Sequence, residues 1–425
     1  MVVLVYKFIS SLHWCQNFFE ITKCLTGYPI LFAQLVGRLS VCCNFSEKLF
    51  MKNRLSPFWL ISFLLLTVSF CHATDEHKTL PIGADAPDFK LPGVDGKTYS
   101  LASFKSAKVL VIIFTCNHCP TAQAYEERLV KLTSDYKDKG VAVVAILPND
   151  PKAVNLDELG YTDLSDSFEE MKIRSKEKHF NFPYLYDGET QSVSIAYGPV
   201  ATPHVFIFNS ERKLSYQGRI DDVEKPTKIP NHFDTRNAID ELLADKPVTV
   251  QTTKVFGCSV KWAEKSELIN KAAQRWAAEP VKLDMIDEEG LKLLLKNNTD
   301  KLRLINIWAT WCGPCVAEFP EFITMNRMYR GRDFEFISIS ADEPSKKEKA
   351  LKFLQKQQAS SANYIFSEED KYKLIELVDP KWQGALPYTI LVEPGGKIVY
   401  AKQGTINPAE MKKTIVNHPL IGRYY

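Results

Sequence analysis

The chain has 425 residues, with 53 basic against 51 acidic side chains and a formal net charge of +2; 45% of residues are hydrophobic and 24% charged. This balance is ordinary for a globular protein and excludes the strongly basic character of a nucleic-acid partner. At ~100–200 residues per domain, the length predicts two domains and a leader.

The leader comes first in chain order. Residues 51–73, MKNRLSPFWLISFLLLTVSFCHA, have a basic start (Lys52, Arg54), an apolar run from Leu55 to Phe70, and then Cys71-His72-Ala73. That is the anatomy of a secretory signal peptide cleaved after Ala73. The apolar run is shorter than the ~20 residues that span a bilayer. An uncleaved membrane anchor is the alternative, and Phe70 is too bulky for a lipoprotein reading of Cys71. Because Met51 opens a complete signal peptide, residues 1–50 read as an over-long start, with an extended leader as the alternative. Beyond residue 73 the chain keeps 47 basic and 49 acidic residues. It also keeps five of the ten cysteines, namely Cys116, Cys119, Cys258, Cys312 and Cys315. An exported chain meets an oxidising compartment. Pairs this close cannot staple a large fold, so they suit redox chemistry or metal binding.

Residues 80–250 form one unit. A Pro- and Gly-punctuated opening turns at Asp95-Gly96. KVLVIIFT (108–115) and VAVVAILPN (141–149) are apolar, β-branched runs that predict buried strands. Between them, Ala122, Tyr125, Leu129 and Leu132 carry helical spacing that ends at Gly140. A long polar helical stretch leads to FPYLYD. Next come VATPHVFIFN (200–209) and KLSYQGRI (213–220), which predict a hairpin, and a helix at NAIDELLA. Residues 251–278 read as a linker ending in a helix. Residues 279–425 repeat the plan. LRLINIWAT (302–310) and FEFISISAD (334–342) are strands, each followed by a helix, and a hairpin turns through Pro394-Gly395-Gly396 before a last helix. Strands alternating with helices predict an α/β fold, here two domains in tandem, each a central mixed sheet flanked by helices. In both, a C-x-x-C follows the first core strand and opens a helix, and a strand beginning at X-Pro arrives much later.

A helix N-terminus exposes free N–H groups and partial positive charge. A thiol placed there ionises more easily, and the thiolate is the reacting species. The expectation is that Cys116 and Cys312 are exposed nucleophiles, while Cys119 and Cys315 lie one turn inward and resolve the mixed disulfide. Zinc held by four thiolates is the metal alternative, but zinc ribbons separate their pairs by only ~15–20 residues. A locked structural disulfide is another alternative at either site. Thr202-Pro203 and Leu386-Pro387 each open a strand, where Pro is tolerated. A cis bond there would lay the preceding backbone beside the sulfurs, as an edge for an extended substrate; an ordinary trans Pro is the alternative.

WATWCGPC with LPYTILVEPGGKIV resembles the thioredoxin superfamily, specifically its TlpA-like exported thiol-disulfide oxidoreductases, over most of 279–425. The resemblance implies that Glu318 accepts protons near the sulfurs; a solvated first-turn acid is the alternative. Asn306 stands where thioredoxins carry a buried Asp. IGADAPDFKLPGVDG, FTCNHCPTAQAYEERL and VATPHVFIF resemble the redoxin branch (AhpC/TSA, peroxiredoxin-like) over roughly 82–245. Ile113 replaces the Thr that peroxiredoxins place before their reactive Cys, which disfavours peroxide chemistry. His118, just before the second Cys, is similar to the residue that oxidising members use to stabilise the thiolate and raise the potential; the alternative is a solvent-exposed polar residue. CGPC resembles reducing thioredoxins, so electrons are expected to pass from Cys312/Cys315 to Cys116/Cys119. Cys258 is either a third exchange partner for Cys116 or an inert buried thiol.

The resulting expectation is an exported, periplasmic thiol-disulfide oxidoreductase with no cofactor and no metal. Its partners would be protein disulfides and dithiols and an upstream membrane or periplasmic electron donor. The alternatives are a thiol peroxidase using Cys116 and a non-catalytic redoxin-fold partner in cytochrome maturation.

Overall fold

The computed structural model describes residues 77–225 and 228–422. The signal-peptide reading of 51–73 and the over-long start at 1–50 lie outside the described residues. Among the described residues, no helix is long and apolar enough to cross a membrane.

The first domain opens with a small hairpin, β1 (Lys90–Pro92) and β2 (Thr98–Ser100), across the Asp95-Gly96 turn. β3 (Val109–Phe114) follows, then helix α1 (Pro120–Tyr136) and β4 (Val141–Leu147). Next come α2 (Phe168–Glu177), β5 (Tyr184–Tyr186), α3 (Ser192–Tyr197) and the two-residue β6 (Ala201–Thr202). The hairpin of β7 (His204–Phe208) and β8 (Leu214–Gly218) and helix α4 (Asp234–Leu243) close the sheet. Strand order is β5-β4-β3-β7-β8. β4 lies parallel to β3, and β7 runs antiparallel to it.

Side chains alternate across a strand with period two. Val109, Val111 and Ile113 therefore enter one cluster with Tyr125, Leu129 and Leu132 of α1, while Leu110, Ile112 and Phe114 enter another with Phe89, Val193 and Tyr197. A strand buried on both faces needs an unbroken apolar run, and each such Leu, Ile or Phe contributes roughly 1.5–3 kcal/mol.

The stretch 251–278 carries β9 (Cys258–Ser259) and α5 (Ser266–Ala277). β9 pairs antiparallel with β6, Thr202 opposite Cys258. Val260, Lys261 and Trp262 are buried. The Lys261 N–H donates to Asn149 Oδ1 at 2.8 Å, and Gln191 Nε2 donates to the Lys261 carbonyl at 3.0 Å. The first half of this stretch is thus woven into the first domain.

The second domain comprises β10 (Asp284–Ile286), α6 (Glu288–Lys296), β11 (Leu302–Trp308), α7 (Gly313–Tyr329), β12 (Phe334–Ser340), α8 (Lys347–Lys356), β13 (Ala362–Phe366), α9 (Lys371–Val378), β14 (Tyr388–Val392), β15 (Ile398–Gln403) and α10 (Pro408–Asn417). Its order, β10-β13-β12-β11-β14-β15, is that of the first sheet plus one edge strand. β12 is again parallel and β14 antiparallel to the central strand. The short 3-10 turns at Pro151–Ala153 and Leu156–Leu159 carry Val154 and Leu159 into the core cluster around α7. Tyr329 donates its hydroxyl to the Thr162 carbonyl at 2.9 Å, and the Arg332 guanidinium lies 3.8 Å over the Tyr161 ring. These contacts fasten the two domains together.

Candidate functional site

In each sheet the cysteine pair follows the carboxyl end of the central strand. The antiparallel neighbour begins at that same end, because antiparallel register puts its start beside the other's finish. Phe114 therefore faces His204, and Ile307 faces Tyr388. This brings Thr202-Pro203 to Cys116/Cys119 and Leu386-Pro387 to Cys312/Cys315. Both X-Pro bonds are cis.

In the second domain α7 begins at Gly313, and Cys312 is its N-cap. The Cys315 N–H donates to Cys312 Sγ at 3.3 Å, and the two sulfurs are joined in a disulfide with Cα atoms 5.3 Å apart. Cys312 is 6% exposed rather than open, while Trp311 beside it is 67% exposed. Glu318 lies one turn beyond Cys315 on the same face. It is buried, not a solvated first-turn acid. Its Oε2 accepts the Ile406 N–H at 3.0 Å, and its Oε1 has no partner among the described residues. Burial pushes the carboxyl up to about 7, only partly offset by the Ile406 N–H and the Asn306 amide. Asn306 Nδ2 donates to Thr389 Oγ1 at 3.1 Å. Asp342, at the end of β12, clamps the residues before the pair through the Thr310 N–H (2.9 Å) and hydroxyl (2.7 Å).

The first domain departs from the expectation in one respect that changes its chemistry. Helix α1 starts at Pro120, and its N-cap is Cys119, the second cysteine. Cys116, Asn117 and His118 lie ahead of the helix in an irregular loop. Cys116 is 3% exposed, so it is not the exposed nucleophile expected of the first cysteine, and Cys119 is buried at 0% but at the helix start rather than one turn inward. Cys116 Sγ lies 3.1 Å from Thr202 Oγ1. Cys119 Sγ lies 3.3 Å from the Thr202 carbonyl and accepts the Cys258 N–H at 3.3 Å. Burial alone would raise both thiols. For Cys119 it is outweighed by hydrogen bonds from Cys116, Cys258 and the Ala122 amide and by the charge of His118, which together hold it well below the ordinary range. Cys116 is pushed well above that range by burial, by its hydrogen bond to Cys119 and by Asp166. Of the two sulfurs, Cys119 is the one whose thiolate the surroundings favour, because the helix end and the donors converge there.

His118 is 1% exposed, not solvated. Its Nδ1 lies 2.6 Å from Asp166 Oδ2. Burial opposes a charged imidazole, but the Asp166 carboxylate outweighs it and holds His118 above its usual value. Burial likewise opposes the carboxylate, and His118, Asn149 and a backbone N–H outweigh it, keeping Asp166 low. Asp166 also accepts the Asn117 N–H at 2.9 Å, the His118 N–H at 3.2 Å and Asn149 Nδ2 at 2.7 Å. Gln123 Nε2 caps the Asn117 carbonyl at 2.8 Å, and the Tyr184 hydroxyl reaches Asn117 Oδ1 at 3.1 Å. Cys116, His118 and Asp166 present ligand-type atoms within 4.8 Å of one another. The Asp166 oxygens, however, are committed to holding the loop. Asp166, Asn149, Gln123 and Tyr184 escaped sequence reasoning. Asp166 sits in a polar stretch read as helix, with no spacing that ties it to the cysteines.

Two mixed sheets, each with a cysteine pair at the carboxyl end of its central strand and an X-Pro turn opposite, define a tandem thioredoxin-like α/β protein. The Redoxin family profile matches residues 81–234 and 273–417. The chain belongs to the Redoxin family, represented twice. It is similar to a thiol-disulfide oxidoreductase ResA of Bacillus cereus, with 31% identity over 113 residues, 27% of this chain and 61% of that protein. ResA of Bacillus subtilis (strain 168) is 25% identical over 120 residues, 28% of this chain and 63% of that protein. The match spans less than two thirds of the length of these relatives. Among solved structures, a hypothetical protein from Sinorhizobium meliloti 1021 is 35% identical, covering 44% of this chain and 97% of its own, with a TM-score of 0.39. An uncharacterized conserved protein from Geobacillus kaustophilus is 39% identical, covering 44% and 94%, with a TM-score of 0.38.

Proposed function

We propose that this chain is an exported thiol-disulfide oxidoreductase that exchanges electrons with protein partners through Cys116/Cys119 and Cys312/Cys315. The observation that carries this reading is the placement of both pairs. Each lies at a helix beginning, at the end of the sheet where an X-Pro turn opens the antiparallel neighbour, with one sulfur accepting a backbone N–H. A thiolate so placed enters thiol-disulfide exchange, and its neighbour three residues away closes the pair's own disulfide as electrons leave for the partner. In the second domain Glu318 takes the proton that the resolving thiol must lose. The similarity to the ResA proteins supports the reaction class, and the segment 51–73 supports export to a periplasm, cleaved or retained as an anchor. An upstream membrane or periplasmic donor would then recharge the pairs.

The test is reduction of insulin disulfides by the full chain with a dithiol donor. Turnover is expected, falling to background when Cys119→Ser and Cys312→Ser are combined. Turnover of hydrogen peroxide lost with Cys116→Ser, without insulin reduction, would instead establish a peroxidase. Inertness in both assays would leave a non-catalytic redoxin-fold partner.

A further inference from the structure

The X-Pro edge of the first domain is already occupied. β9 lies antiparallel on β6, with Cys258 directly opposite Thr202. Extended partners add to such an edge through main-chain hydrogen bonds; here the chain's own segment takes that place. The fit is close. Gly257 has φ 142°, and a Cβ there would stand 2.1 Å from the Thr202 carbonyl oxygen. Phe256 packs into the core cluster behind the pair, and its ring lies 6.3 Å from Tyr125. The result delivers a third sulfur. The Cys258 N–H lies 3.3 Å from Cys119 Sγ, and the Cys258 carbonyl accepts from Thr202 Oγ1 at 3.4 Å. Cys258 is partly exposed, whereas Cys116 and Cys119 are buried.

We infer that Cys258 is a third redox sulfur of the first site, carrying electrons between an outside partner and the buried Cys116/Cys119 pair through a transient Cys119–Cys258 disulfide. The inference rests on the reading of Cys116/Cys119 as an exchange pair. A partner sulfur cannot reach Cys119 while β9 covers it, but it can reach Cys258.

The steps balance. The Cys258 thiol, giving its proton to the adjacent Cys119 thiolate, attacks a partner disulfide and expels one partner thiolate, which takes up a proton. Cys119 loses that proton and attacks Cys258 Sγ, releasing the second partner thiol and forming the Cys119–Cys258 bond. Cys116 then attacks Cys119 Sγ, forming Cys116–Cys119 and returning Cys258 as a thiol. In sum, the partner disulfide gains two electrons from Cys116 and Cys119, one proton from the Cys116 thiol and one from solvent, and Cys258 ends as it began. Run in reverse, the same steps oxidise a partner dithiol.

The experiment uses the full chain with Cys312→Ser and Cys315→Ser, so that only the first site is read. Adding Cys116→Ser and oxidising with glutathione disulfide should accumulate a Cys119–Cys258 cross-linked peptide on non-reducing digestion and mass spectrometry. If that variant fails to fold, the same peptide is sought after rapid alkylation of the Cys116-containing protein. Without it there, with Cys258 fully alkylated, the inference falls. Cys258→Ser should slow insulin reduction by about 10-fold or more, because exchange rates follow access as well as thiolate character. An unchanged rate with a normal Cys116–Cys119 disulfide overturns the relay and leaves the exchange reading intact. Failure of the Cys116-containing protein to exchange at all overturns both.

Discussion

Glu318 and His118 are buried ionisable groups beside sulfur, and their environments push them in ways that matter for proton transfer. Glu318 is held near neutrality by burial, at about 7 against 4.5. Between those values the folded protein keeps a proton that the unfolded chain has released, so stability falls as pH rises through the window. The same ionisation creates the base. Exchange through Cys312/Cys315 should therefore rise with pH through about 7, and Glu318→Gln should flatten that profile and cost about 100-fold above it. Stopped-flow fluorescence of Trp308 and Trp311 across pH 5 to 9 measures this; an unchanged profile removes Glu318 from the chemistry. His118 was legible from the CNHC motif, but its partner was not. A side chain 48 positions away leaves no local trace, and only the tertiary fold sets the Asp166 carboxylate 2.6 Å from the ring.

At the scale of elements, a shift in helix start separates the two sites. Both pairs have the same spacing, yet Cys312 caps α7 while Cys119 caps α1. Pro120 fixes the difference, since Pro favours the first helical position, where its missing N–H costs nothing. The C-x-x-C pattern told which cysteines meet a helix, but not which of them receives its positive end. The strand β9 is the other device of this scale. A two-residue strand has no periodicity to betray it; the odd thiol Cys258 raises the possibility of a third exchange partner, but nothing local in 251–278 marks its pairing with Thr202. Gly257→Ala should lift it away, since an L side chain in that conformation costs on the order of 1–3 kcal/mol. Faster alkylation of Cys258 and Cys119 in the folded variant is the expected readout; alkylation at the original rate would mean that β9 docks without Gly257.

For the whole molecule, the duplicated sheets invite a division of labour. The partner edge of the first domain is covered by its own chain, whereas among the described residues no strand pairs with Ala385 and Leu386, and Trp311 stands exposed beside Cys312. Donors around Cys119, and an imidazole that Asp166 holds above its usual value, are expected to favour the dithiol form of the first pair and so to raise its potential. Electrons are expected to run from Cys312/Cys315 to Cys116/Cys119. Titrating Cys312→Ser/Cys315→Ser and Cys116→Ser/Cys119→Ser proteins against glutathione should place the first pair at least ~30 mV higher, equivalent to ~1.4 kcal/mol for two electrons. Equal potentials would refute the direction.

The sequence by itself determined the tandem α/β plan and the four sulfurs, because buried strands require continuous apolar runs and a C-x-x-C is a local, spaced signal. Only the tertiary structure decided which sulfur meets the helix end and its donors, which carboxylate holds the histidine, and that the Cys258 segment lies against Cys119. Those depend on where chain segments distant in sequence come to rest, and no periodicity within either segment encodes their meeting.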